Sequence, residues 1–351
     1  MNKLFLIPLI IVLAVGLVFG GCAEPAPAPT PAPTPAPAPA PPAKPAEVKV
    51  IKAIVMVNIV DPYLMDRVNP FLDAVNKRLE GEVRIDLVGG AEVVGIFEQA
   101  DAIKSGVIDF HLYQARGMPA ALIPCVLVGD MSQYSGAGER ESGAFDVWEE
   151  AYAQFLNSQY LGSFDNGDGM PFHLWLNEPI EKIEDLKGLK LRAYGAFEAV
   201  AKALGASPIL MPLTEIYTAM QRGVVDGYIT NSPTVRDQKL YEVSKYVIYP
   251  GFFQSTSSAY MNLDTWNSLS KHAQDVIKEE VIKVEELGVE WLRTGNKEAM
   301  QEAMDGGLEI HELSPAEGKR LVDTAYEAGW KFALEKDPTG YAERLRPLLT
   351  K

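Results

Sequence analysis

The chain has 351 residues and a formal net charge of −15, with 47 Asp and Glu against 32 Lys and Arg. That excess of negative charge argues against nucleic-acid binding and against a surface drawn to anionic lipid, so an anionic ligand would need a local positive site. Only two cysteines occur, Cys22 and Cys125, and the four histidines, His111, His173, His272 and His311, are scattered.

The N-terminus reads as an export signal. Lys3 precedes an apolar run over residues 4–19 that is short and interrupted by Pro8 and Gly16, a poor membrane span. It ends Val18-Phe19-Gly20-Gly21-Cys22. Small residues directly before a cysteine are the pattern of a bacterial lipoprotein signal, with residues 1–21 removed and Cys22 lipidated. Phe19 departs from the Leu, Val or Ile usual three places before that cysteine, and a plain secretory signal or an uncleaved anchor is the alternative. Loss of Lys3 leaves 31 basic against 47 acidic residues, a charge of −16. Residues 22–47 are an Ala/Pro-rich linker that cannot build a core. As extended polyproline II at roughly 3.1 Å per residue it would reach about 70 Å, a stalk between lipid and body. With Cys22 lipidated, Cys125 has no partner, and its setting IPCVLV predicts a buried thiol.

The remaining 300 or so residues suffice for two α/β domains. Residues 50–58 read as a strand, 70–79 as a helix, 83–88 as a strand and 97–104 as a helix. In residues 189–194, Leu189, Leu191 and Ala193 alternate with Lys190, Arg192 and Tyr194, a strand with Arg192 on its polar face. Phe197, Val200, Ala201 and Leu204 follow at helical spacing up to Gly205. Residues 209–211 suit a short strand, and Thr214 is placed to cap a helix on Leu213, Ile216, Tyr217 and Met220, stopped by Gly223. Strands alternating with helices in this way predict an α/β fold with mixed, mostly parallel sheets. The sequence AIKSGVIDF at 102–110 echoes AMQRGVVDG at 219–227, each ending a helix at glycine and entering a strand, so two halves share one plan. Residues 270–297 predict a long helix on Ala273, Ile277, Val281, Val284, Leu287, Trp291 and Leu292.

The succession DLKGLKxR, xALGAxPxxMP and xEIYTAMQxGVVDG, followed by LYEVSKY and MNLDTWNSLSKHAQDVI, resembles the solute-binding receptors of TRAP transporters. The resemblance covers most of the chain after about residue 48. It implies a two-lobed, periplasmic-binding-protein-like fold whose lobes exchange strands, with 48–170 plus 255–298 as one lobe and 171–254 plus 299–351 as the other. The long helix would then span the hinge. It also implies that Arg192 holds a substrate carboxylate in the cleft between the lobes, a role suited to the planar donor fork of a guanidinium. Asn58, Gln114, Tyr194 and Tyr228 are carried over as pocket positions. So is either Thr230 or Asn231, because the run after VVDG has one residue more than the family pattern. Phe172 stands where several relatives carry a second arginine, and Leu213 and Phe252 also depart from the family pattern. With Trp175, these side chains would form apolar walls. One arginine and such walls suit a monocarboxylate, such as a 2-oxo, branched or aromatic acid.

The implied partners are a small organic acid, the membrane subunits of a TRAP permease and, through the lipid, the outer face of the cytoplasmic membrane. A monomer is expected, with dimers in some relatives. No cofactor or metal is expected, and nothing in the chain reads as an enzyme: HExxH, GxSxG and P-loop patterns are absent. DNGDG at 165–169 lacks the acid spacing of a calcium loop and reads as a turn. The competing readings are a receptor serving an ABC transporter or a sensor kinase, or a secreted hydrolase or lyase.

Overall fold

The computed structural model describes residues 48–57, 59, 62–165, 167 and 169–351. The expected signal segment, Cys22, the Ala/Pro-rich linker and Asn58 lie outside the described residues. In chain order the first elements are β1 (Lys49–Val55), α1 (Pro62–Arg78), β2 (Val83–Gly89), α2 (Gln99–Lys104) and β3 (Phe110–Ala115). A 3-10 helix, Pro124–Met131, leads to α3 (Gly136–Ser142), α4 (Ala144–Leu156) and β4 (Ser158–Gly162). Then come β5 (Pro171–Leu176), β6 (Lys190–Arg192), α5 (Ala196–Ala203), β7 (Ser207–Ile209), α6 (Ile216–Gln221), β8 (Gly227–Thr230) and α7 (Ser232–Asp237). The chain closes with β9 (Tyr246–Gln254), β10 (Ser257–Asn262), α8 (Leu263–Asn267), α9 (Lys271–Asp305), β11 (Glu309–Glu312), α10 (Pro315–Lys336) and α11 (Tyr341–Leu349).

The strands form two mixed sheets, ordered β2-β1-β3-β10-β4 and β11-β9-β5-β8-β6-β7. Their βαβ parts pair in parallel, whereas β10 and β5 run antiparallel to both of their neighbours. The echo seen in sequence is a repeated structural unit. In each copy a short helix stops near a glycine of positive φ, Gly106 (75°) or Gly223 (66°). The following aspartate then locks onto the adjacent parallel strand. Asp109 accepts from the Lys52 amide at 2.8 Å and returns its own amide to the Lys52 carbonyl at 3.0 Å. Asp226 does the same to Lys190, at 2.8 and 2.8 Å.

Several boundaries differ from expectation. Helix α1 begins well before Pro70 because Leu64, Val68, Phe71, Val75 and Leu79 form one buried stripe whose burial outweighs the backbone bond that Pro70 lacks. Thr214 caps nothing: it sits inside the 3-10 turn Leu213–Glu215, and Glu215 occupies the cap position of α6. Helix α9 is longer than expected, starting from a Ser270 cap whose hydroxyl accepts from the Ala273 amide at 3.0 Å. Of its predicted stripe, Leu287 is exposed, and Gly288 faces inward in its place. The first half of α9 (Ala273, Ile277, Val281) is buried with the core of the first sheet, and its far end (Met300, Ala303) with Trp175 and Tyr228 of the second. The backbone crossing from β4 to β5 runs over its middle, where a Cβ on Gly288 would lie 2.5 Å from the Phe164 carbonyl oxygen. A further core cluster is continuous between the two sheets, from Trp148 and Tyr260 to Leu174 and Ile248, and includes Cys125 as a free, fully buried thiol. Helix α11 packs on α3, α4 and the 3-10 helix Pro124–Met131.

Candidate functional site

Between the sheets lies a cleft of about 540 Å³, walled by strand ends and connecting segments from both. Arg192 reaches it from the last position of β6. There the period-two pattern is realised: Leu191 is fully buried, Lys190 exposed and Arg192 half-buried. Nε of Arg192 donates to the Met211 carbonyl at 3.2 Å, which fixes the stem and leaves the two terminal nitrogens available. Burial is the largest influence on its pKa and lowers it, since a cation loses hydration there. Among the described residues no carboxylate forms an ion pair with it. Gly195, at φ 60°, turns the chain directly into α5, so the first turn of that helix (Ala196, Phe197) lines the same wall. The partial positive charge of the helix start adds to that of the guanidinium.

Of the residues expected in the pocket, Arg192, Phe172, Tyr194, Leu213, Thr230 and Asn231 come together on the cleft wall. Thr230 and Asn231, left as alternatives, both line it. Asn231 caps α7, its Oδ1 accepting from the Thr234 amide at 3.1 Å, so its amide donors remain for the cleft. Phe172 packs on Phe197 with ring centroids 4.7 Å apart, and Phe197 on Phe253 at 5.6 Å, which makes one wall aromatic.

Four expected residues lie off the cleft wall, each for a geometric reason. Trp175 and Tyr228 are paired across β5 and β8 and stacked with centroids 6.2 Å apart. Because β5 runs antiparallel to β8, its cleft end is its beginning, which leaves Trp175 about 10 Å back at ~3.3 Å per residue. Tyr228 likewise stands two residues short of the end of β8. The Tyr228 hydroxyl lies 2.8 Å from that of Ser244, and the Trp175 indole donates to the Thr230 carbonyl at 2.8 Å, so both act behind the wall. Gln114 has the wrong parity: its neighbours Tyr113 and Ala115 line the cleft, while Gln114 is buried and accepts from the Tyr260 hydroxyl. Phe252 is buried against Phe172, and Phe253 takes the cleft position instead. Register shifts between β5 and β9 around Phe172, together with φ of 55° at Phe253, produce that exchange.

Other candidates resolve into structural roles. His173 is buried with Nδ1 3.0 Å from the Ile248 carbonyl, and burial lowers its pKa to about 4, so it is neutral and away from the cleft. Asp165, in the DNGDG turn, is ion-paired with Arg67 and accepts from the Tyr113 hydroxyl. Sequence reasoning missed Asp130, Thr256, Met118 and Leu127, which line the cleft from the segment after β3 and from the β9–β10 link. None of them carries a periodic or motif signal.

The family description for bacterial extracellular solute-binding proteins, family 7, matches residues 61–337. The chain belongs to this family, that of TRAP-transporter solute receptors. It is 26% identical over 246 residues to the monocarboxylate 2-oxoacid-binding periplasmic protein of Nostoc sp., covering 67% of this chain and 66% of that protein. Over 136 residues it is 33% identical to the sialic acid-binding periplasmic protein of Vibrio cholerae, covering 38% and 42%. The matches thus span just under two-thirds and under half of these relatives' lengths. A TRAP periplasmic solute-binding protein of Ochrobactrum anthropi has the same two-sheet fold, with a TM-score of 0.74 at 21% identity over 86% of this chain and 95% of that one.

Proposed function

We propose that this receptor captures a monocarboxylate, such as a 2-oxo, branched or aromatic acid, in the cleft and delivers it to a TRAP permease. The observation that carries this reading is Arg192, a half-buried residue of the cleft wall whose guanidinium has no carboxylate partner among the described residues. An unpaired cation in apolar surroundings is stabilised by an incoming anion, and a carboxylate matches the guanidinium fork. No other Lys or Arg lines the cleft among the described residues, so a second carboxylate would lack a counter-ion there. Phe172, Phe197, Phe253 and Leu213 suit an apolar tail, while Tyr194, Thr230 and Asn231 supply polar contacts. Similarity to a protein named for binding 2-oxoacids is in keeping with this, although another relative is named for sialic acid.

In this reading residues 48–170 with 255–298, and 171–254 with 299–351, are two lobes that close on the acid. Closure expels water and strengthens the ion pair. Mass spectrometry of small molecules released from denatured purified protein should find a monocarboxylic acid; a dicarboxylate as the sole bound species would contradict the reading. Anchoring at Cys22 belongs to the same proposal. Cys22→Ser should shift the exported chain from the membrane to the soluble fraction, and retention in the membrane would argue against lipidation.

A further inference from the structure

The carboxylate reading leaves two acidic groups of the cleft wall unused: Asp237, which is ion-paired with Arg236 at 2.8 Å, and Asp130. Asp130 lies near the end of the 3-10 helix Pro124–Met131, and its side chain reaches the cleft wall. Thr256, on the link between β9 and β10, donates its hydroxyl to Oδ1 at 2.7 Å. An ionised carboxylate has roughly four acceptor sites, so capacity remains. The Arg116 guanidinium attracts it but forms no ion pair with it. Arg116 passes against Gly129 but is committed to Glu139, at 3.0 and 3.3 Å, and to the Tyr160 hydroxyl at 3.0 Å. Among the described residues no Lys, Arg or His forms an ion pair with Asp130. The side chains lining the cleft beside it, Leu127 and Met118, offer no hydrogen bond. Burial pushes its carboxyl up to about 6, which still leaves it largely ionised at neutral pH. The cleft therefore holds two charges without an ion-pair partner among the described residues, Arg192 on one sheet's strand end and Asp130 on the facing segment.

We propose that Asp130 selects the ligand: the cleft takes a monocarboxylate that also carries a hydrogen-bond donor, hydroxyl or ammonium, and Asp130 accepts from that donor. This rests on Arg192 being the carboxylate anchor, and it narrows the monocarboxylates proposed above to members that also carry a donor, excluding unsubstituted 2-oxo, branched and aromatic acids as preferred ligands. A site built to accept a hydrogen bond rejects an analogue lacking the donor, because its own buried acceptor is left unpaired. The same carboxylate repels a second anionic group, so a dicarboxylate is disfavoured by like charge as well as by the missing cation.

Calorimetry with the purified protein tests this on acids that differ only at the far end: hexanoate, 6-hydroxyhexanoate, 6-aminohexanoate and adipate, with the matching butyrate set. The hydroxyl or ammonium member should bind at least about fivefold tighter than the methyl member, as expected for one buried hydrogen bond, and the dicarboxylate should bind weakest. A hydroxyl preference would mark a hydroxy acid as the ligand class, an ammonium preference an amino acid. Asp130→Ala should reduce the preference to about twofold or less. Asp130→Asn should keep the hydroxyl preference, lose the ammonium preference and admit the dicarboxylate. Equal binding of methyl and donor members by the unmutated protein, or a preference that survives in Asp130→Ala, would overturn the assignment of Asp130 alone. Failure of every acid to bind, hexanoate and butyrate included, would instead overturn the Arg192 anchor and this inference together.

Discussion

Asp130 is a partly buried charge without an ion-pair partner among the described residues, with a consequence for stability as well as for binding. For Asp130 the sign follows from its raised pKa. The folded carboxyl titrates at about 6 and an unfolded one near 4, so between those values the folded state holds the proton more tightly. Stability is therefore lost as pH rises from about 4 to about 6, and at neutral pH the ionised group costs on the order of 2–3 kcal/mol. The groups that bear on it, the Thr256 hydroxyl and the permanently charged Arg116, do not titrate in that window. Asp130→Asn should accordingly raise the urea midpoint of the empty protein at pH 7.5, with the gain shrinking towards zero by pH 4. A gain larger at pH 4 than at pH 7.5 would contradict the assignment. Arg192 was legible in the sequence because its strand and motif are local. Asp130 was not, because only the folded chain brings residues 124–131 and 253–256 to the cleft.

At the level of elements, patterns within one segment were readable and relations between segments were not. The echo of 102–110 in 219–227 and the long helix were readable within single segments, and the structure has both. Trp175 and Tyr228 were expected in the pocket because strand direction decides which end of β5 meets the cleft, and composition carries no direction. Phe252 and Phe253 exchanged places through an irregular register that no alternation rule anticipates. The stripe of α9 was misjudged at Leu287 for a related reason. A glycine one residue later is the inward position, because a crossing backbone presses on the helix there. Gly288→Ala tests that contact. Alanine favours an exposed helix over glycine by about 1 kcal/mol, but here its Cβ would meet the Phe164 carbonyl oxygen at 2.5 Å. Crowding should win and lower stability by about 1–3 kcal/mol in urea denaturation. A stabilised variant would show that the crossing segment yields freely.

For the whole molecule, the two sheets meet across the β4–β5 crossing, the β9–β10 link and the length of α9, and the cleft opens between them. The two-sheet α/β architecture was legible as alternating strands and helices, and the family to which the chain belongs was legible in the order of its motifs. The antiparallel strands β5 and β10 leave no periodic trace in sequence; an exchange of strands was implied by the family resemblance alone. Among the described residues no helix is long and apolar enough to cross a membrane. In the proposed function one guanidinium, Arg192, anchors one carboxylate in the cleft. Isothermal calorimetry of the acid recovered from the purified protein, titrated into unmutated and Arg192→Lys protein, tests it most directly. The variant should bind at least tenfold more weakly, about 1.4 kcal/mol or more, with the melting temperature of the empty protein unchanged within about 2 °C. Undiminished affinity in a folded Arg192→Lys protein would remove Arg192 from the site.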